Sequence, residues 1–174
     1  MKAYILAGGE SSRMKTNKAL LDIKGITLIE SIAKQLHSFD EVVIVGNPLS
    51  YKHLPYRVIE DIEKNKGPLA GIHSALTDAQ DQCFICTCDS PILLKAYFIS
   101  ETGIFQLNGE AIFFPMIASS EDIQKIESLL SGTNWSIKNY LKTCPKQIHH
   151  ITSSQPIWNL NTPSKYNDYL ESIS

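Results

Sequence analysis

An α/β fold with a mostly parallel central sheet follows from three features of this 174-residue chain. Short apolar runs recur at residues 3–7, 41–45, 56–60 and 83–88, and each is followed by glycine or aspartate. The stretches between them carry helical signals, so strand and crossover helix alternate as in parallel βαβ units. Polar or glycine-rich turns at the strand ends gather the residues able to do chemistry, and in open α/β sheets the ligand crevice lies outside the carboxyl ends of the strands.

Taken in order, the first strand, residues 3–7, stops at Gly8-Gly9, and residues 19–23 read as a short extended piece ending before Gly25. Thr27 followed three residues later by Glu30 predicts a capping box and a helix over 28–38, with Leu28, Ile29, Ile32, Ala33 and Leu36 on its apolar face. The run 41–45 is apolar without alternation, as expected of a strand covered on both faces, and Gly46-Asn47-Pro48 ends it. After the strand at 56–60 comes Asp61, then Gly67-Pro68 as a tight entry to a helix through about residue 79, where Ala70 and Gly71 permit close packing. The strand at 83–88 ends on Asp89-Ser90-Pro91. Beyond it the pattern predicts a helix over 92–99, a strand over 111–117 interrupted by Pro115, and a helix over 121–130 capped by Ser119 or Ser120 and stopped by Gly132. A helix over 135–141, a strand over 146–151 with a solvated His149-His150 pair, and a last helix with Thr162 as N-cap and Pro163 at its first position complete the chain.

The length suits one compact core, so residues 1–174 are expected to form a single domain. A net charge of −2 argues against a nucleic-acid or membrane-surface binder, and any anion site must be a local cluster. The early apolar run is shorter than a signal-peptide core and nothing later approaches a membrane span, which points to the cytoplasm. Cys83, Cys86, Cys88 and Cys144 lack a second cluster or histidine spacing and read as reduced, buried thiols.

The chemistry starts at the amino terminus. A strand that stops at Gly8-Gly9 lets backbone come close to a ligand because no Cβ blocks the approach. Arg13, with a planar fork matching phosphate oxygens, and Lys18, a compact point charge, can neutralise a polyanion there, whereas a solvated turn would need neither. The dinucleotide fingerprint needs later glycines, and the P-loop needs Ser or Thr after its lysine, where Ala19 stands. Asp89, at the end of an apolar strand, suits Mg²⁺, which takes one or two carboxylates plus substrate phosphates; the alternative is a cap on the next helix. Asp61 can face the crevice as an acceptor or stand as a helix-cap or surface aspartate. Asn159 and Asn161 can face one side as amide ligands or form an Asx turn before Thr162.

Leu6-Ala7-Gly8-Gly9, Arg13-Met14 and Lys18 together resemble the nucleotidyltransferase signature, in particular that of the molybdenum cofactor guanylyltransferases. Ile59-Glu60-Asp61, Gly67 to Gly71, Cys88-Asp89-Ser90-Pro91 and Asn159 to Pro163 continue the likeness in order along nearly the whole chain. The resemblance implies a three-layer Rossmann-like nucleotidyltransferase fold. It puts Leu6, Ala7 and Gly8 against base and ribose, Lys18 on phosphates, Asp61 on the nucleoside, Asp89 on Mg²⁺, and Gly9, Gly67, Pro68, Asn159 and Asn161 at the nucleotide. It implies transfer of GMP from GTP to the terminal phosphate of molybdopterin, with Arg13, Lys18 and Asp89 as the catalytic set. Other molybdenum cofactor biosynthesis proteins or acceptor enzymes are the implied partners. Two positions depart from the family: Lys15 stands where Gly follows Arg-Met, and Val45 stands where some relatives have an Asn that contacts nucleotide, so that either Asn47 substitutes or the contact is lost. A CTP- or sugar-phosphate nucleotidyltransferase and a nucleotide-binding module without transfer activity are the competing readings.

Overall fold

Alternation along the first strand divides the molecule into layers. In β1 (Ala3–Leu6), Ala3 and Ile5 join the core on one side of the sheet, and Tyr4 and Leu6 join the core on the other. The computed structural model describes residues 1–8 and 17–174. After β1 come a two-residue hairpin pair, β2 (Asp22–Ile23) and β3 (Ile26–Thr27), and helix α1 (Leu28–Gln35), whose Thr27–Glu30 capping box is present with both reciprocal hydrogen bonds. Strand β4 (Val42–Val45), the short helix α2 (Pro48–Tyr51), β5 (Arg57–Ile59), α3 (Gly67–Ala79) and β6 (Cys83–Thr87) follow. The second half supplies β7 (Gly103–Leu107), β8 (Glu110–Ala118), α4 (Ile123–Ser131), α5 (Ile137–Thr143), β9 (Ile148–Ile151) and α6 (Pro163–Ser172).

Seven strands form the main sheet in the order β5-β4-β1-β6-β8-β7-β9, with β8 antiparallel to both of its neighbours and the other pairings parallel. Leu28, Ile29, Ile32 and Leu36 cover one face together with Tyr169 of α6; Leu69, Ile72 and Leu76 of α3, Ile126 of α4 and Tyr140 of α5 cover the other. This is the expected three-layer, mostly parallel architecture. β1 is buried along its whole length, which explains its unbroken apolar sequence. No helix among the described residues is long and apolar enough to cross a membrane.

Four local expectations change. Residues 92–99 form only a short 3-10 turn at Lys95–Tyr97, because the Gln35 side chain accepts from the Leu93 N–H and donates to the Pro91 carbonyl, while Leu93 and Tyr97 sink into the core. Tertiary partners therefore satisfy backbone groups that a helix would have paired. Pro115 interrupts the pairing of its strand and not the strand itself: β8 runs through it where the β7 register jumps, Ile104 pairing with Met116 and Phe105 with Ile112. β7 is an unexpected strand, joined to β8 by Asn108-Gly109, both at positive φ as a tight hairpin turn requires. His149 is not solvated; it is half-buried, its ring 5.6 Å from that of Phe105, whereas His150 is exposed.

Candidate active site

The carboxyl ends of β5, β4, β1 and β6 lie side by side, and they deliver Asp61, Gly46, Gly8 and Asp89 in that order along one edge of the sheet. Lys18 joins them from a 3-10 turn, Lys18–Leu20, whose N-cap Asn17 accepts from the Ala19 N–H at 3.1 Å. The Lys18 ammonium donates to Asn161 Oδ1 at 2.8 Å and sits 3.4 Å from Asp89 Oδ2. Residues 71 and 143 positions apart thus converge. Asp89 Oδ1 accepts from the Thr87 hydroxyl, and the Asp89 carbonyl accepts from the Leu160 N–H at 2.8 Å, which anchors the segment carrying Asn161. Leu160, fully buried, holds that anchor in the core.

At the other end of the edge, a cleft of about 280 Å³ is lined by Gly8, Gly46, Asn47, Asp61, Lys66 and Gly67 among others. Asp61 Oδ1 is buried and has no hydrogen-bond partner among the described residues. Burial holds the Asp61 carboxyl above its usual range. Gly8 is glycine for a reason of space: a Cβ there would lie 2.7 Å from Asp61 Oδ2. Gly67 begins α3 at φ +63°, a conformation that favours glycine, and Pro68 follows it, exposed in the first turn.

The remaining expected positions divide. Leu6 turns its side chain into the core, where a Cβ on Gly71 would be 3.0 Å from Leu6 Cδ2, so it faces α3 and leaves only backbone to the crevice. Ala7 donates to the Val45 carbonyl and accepts from the Tyr51 hydroxyl, so both of its backbone groups are engaged. Asn159 is exposed, and its carbonyl accepts from the Asn161 N–H. Val45 is buried in β4, while Asn47 caps α2 through the Leu49 N–H and lines the cleft. Gly9, Arg13 and Lys15 lie outside the described residues. Sequence reasoning overlooked Asn17 and Tyr51; a polar residue immediately before Lys18 was the available signal for the first. The four cysteines are unpaired and buried, and burial pushes the Cys88 thiol up to about 12. Among the described residues no cluster of three or more His, Cys, Asp or Glu could hold a metal ion.

Residues 3–136 match the family model described as the MobA-like NTP transferase domain, which makes the chain a nucleotidyltransferase. Over nearly its full length the chain is 33% identical to a probable molybdenum cofactor guanylyltransferase of Clostridium perfringens, covering 97% of this chain and 96% of the relative. It is 30% identical to the molybdenum cofactor guanylyltransferase of Syntrophotalea carbinolica, covering 92% and 86%. The chain therefore belongs to the molybdenum cofactor guanylyltransferase family within the MobA-like NTP transferases. Its fold is shared with molybdopterin-guanine dinucleotide biosynthesis protein A of Archaeoglobus fulgidus, at a TM-score of 0.79 and 19% identity over 99% of this chain and 98% of that one. A Mycobacterium tuberculosis protein solved in complex with manganese has the same fold, at a TM-score of 0.71 and 15% identity over 98% of each chain.

Proposed function

We propose that this enzyme transfers the guanylyl group of GTP to the terminal phosphate of molybdopterin. A phosphate oxygen of the acceptor forms a bond to the α-phosphorus of GTP, the bond from that phosphorus to the bridging oxygen breaks, and pyrophosphate leaves. The observation that carries the nucleotide assignment is Asp61, which lines the cleft beside Gly8 and whose buried Oδ1 has no hydrogen-bond partner among the described residues. An ionised carboxylate only accepts, and guanine offers two adjacent donors, its ring N–H and exocyclic amine, so base binding supplies what the carboxylate lacks. Three inter-strand steps separate the β5 end from the β6 end, about 14 Å at the usual strand spacing. That matches the reach of an extended nucleoside triphosphate, with base at Asp61 and phosphates at Lys18 and Asp89.

An acceptor phosphate is already ionised at neutral pH, so the chain needs no general base. Its work is to position the substrates and neutralise charge. Lys18, with Arg13, offsets charge on the departing pyrophosphate. Asn161 accepts from the Lys18 ammonium and holds it at the strand ends. Asp89 and Asn161 both present oxygen to a cation, and hard oxygen donors of this kind, one of them a carboxylate, fit Mg²⁺ better than a soft or nitrogen-preferring metal. Bound at Asp89, Mg²⁺ would neutralise charge on the phosphates. The cytoplasm is the proposed setting, in keeping with four unpaired thiols. Residues 1–174 act as one domain in this reading, since one seven-stranded sheet takes strands from both halves of the chain.

The test compares GTP, CTP and ATP by thermal shift with and without Mg²⁺, since selective binding stabilises the folded state by RT ln(1 + [L]/Kd). GTP alone should raise the midpoint strongly, and pyrophosphate should appear when molybdopterin is added. Equal stabilisation by CTP, or GTP binding without pyrophosphate release, overturns the assignment.

A further inference from the structure

One buried hydroxyl ties together the two ends of the segment between β1 and Lys18. Tyr51, 1% exposed at the end of α2, donates to the Ala7 carbonyl at 2.9 Å and accepts from Asn17 Nδ2 at 3.2 Å. Ala7 immediately precedes Gly8, and Asn17 immediately precedes Lys18. Tyrosine has one proton and two acceptors in reach, the Ala7 carbonyl at 2.9 Å and Asn17 Oδ1 at 3.4 Å. The nearer carbonyl takes it, and Asn17 then presents its amide nitrogen to the hydroxyl. Its amide oxygen is then left to cap the Ala19 N–H, which starts the turn that aims Lys18. Gly46 makes the arrangement possible, because a Cβ there would lie 2.9 Å from Tyr51 Cε2. Burial pushes the hydroxyl up to about 12, so it keeps its proton through the neutral range.

We propose that Tyr51 is a positioning residue for guanylyl transfer: through Asn17 its hydroxyl holds the Lys18 ammonium in register with the glycine end of β1. This rests on the reading of Lys18 as a phosphate-binding cation. A tyrosine that merely filled the core would be replaced by phenylalanine without kinetic consequence, since the ring and its packing remain. A clamp on Lys18 predicts a different pattern, because displacing a charge-bearing group lowers turnover more than ground-state binding.

The experiment measures pyrophosphate release for Tyr51→Phe, Asn17→Ala, Lys18→Ala and the Tyr51→Phe/Lys18→Ala double variant, with urea unfolding of each. Tyr51→Phe should lower kcat about tenfold while KM for GTP stays within about twofold, a small misplacement being enough for such a loss. Asn17→Ala, at an exposed position that leaves the tyrosine in place, should reproduce that split. In the Lys18→Ala background the tyrosine change should have no further effect. The proposal fails if Tyr51→Phe keeps kcat within twofold, if Asn17→Ala leaves kcat intact, or if Tyr51→Phe is equally costly without Lys18. Loss of turnover in Lys18→Ala with none in folded Tyr51→Phe sinks the clamp alone; unchanged turnover in Lys18→Ala sinks the phosphate role and the clamp together.

Discussion

Replacing Asp61 by asparagine should move GTP binding and the stability of the free enzyme in opposite directions. The isosteric change leaves one acceptor oxygen and turns an amide N–H toward a guanine donor. Losing a hydrogen bond to a charged group costs about 1.5–3 kcal/mol, which is about a 10- to 150-fold rise in Kd. The free protein responds in the reverse sense. Burial raises the carboxyl of Asp61 in the folded state above its unfolded value of 3.8, so the folded state is favoured below that value and loses this advantage as pH rises through the folded pKa. At pH 7 the buried carboxyl is therefore a net cost, and Asp61→Asn should unfold at a higher urea concentration than the parent, with a smaller gain at pH 4. Calorimetric titration with GTP alongside urea unfolding at the two pH values reads both signs. GTP affinity within twofold of the parent, or a free enzyme weakened at pH 7, would remove the role given to this carboxylate.

Lys18→Ala should lower turnover about a hundredfold or more, the scale for removing one preorganised electrostatic donor, as read by steady-state pyrophosphate release. Asp122→Ala should destabilise the fold by about 3–5 kcal/mol in urea titration, because it strips the partner from Lys146 and Tyr140 in a site where the lysine and aspartate side chains are only 8% and 9% exposed. Its affinity for GTP should be unchanged where the variant is folded. The Arg57 guanidinium holds Asp78 down at about 2 by direct hydrogen bonds, against 3.8 when unfolded. That stability is present above about pH 4 and is lost as pH falls toward 2, so Asp78→Asn should flatten the acid limb of a stability-versus-pH curve measured by urea unfolding.

The elements legible in advance were those whose signals are local. Thr27 with Glu30 started α1, Thr162 with Pro163 started α6, and the unbroken apolar runs of β1, β4 and β6 announced strands buried on both faces. Elements decided by distant partners were read less well. Residues 92–99 had the composition of a helix, but Gln35 from α1 took their backbone groups, and β7 was overlooked although Asn108-Gly109 marked its hairpin. The site divides in the same way. Gly8, Lys18, Asp61 and Asp89 stood out by type and by position after apolar strands, whereas the burial of an Asp61 oxygen without a partner among the described residues and the engagement of Ala7 by Tyr51 are facts of packing.

By itself the amino-acid order determined the strand-and-helix alternation, the family likeness and the residue types available at each strand end, because hydrophobic period, caps and glycine placement act over a few neighbouring positions. Folding decided which of those residues meet. Lys18, Asp89 and Asn161 come together only because β1 and β6 are adjacent in the sheet and Leu160 is buried beneath the loop that carries Asn161. A contact between residues 143 positions apart has no local signature, and it is set by the burial of apolar side chains throughout the core.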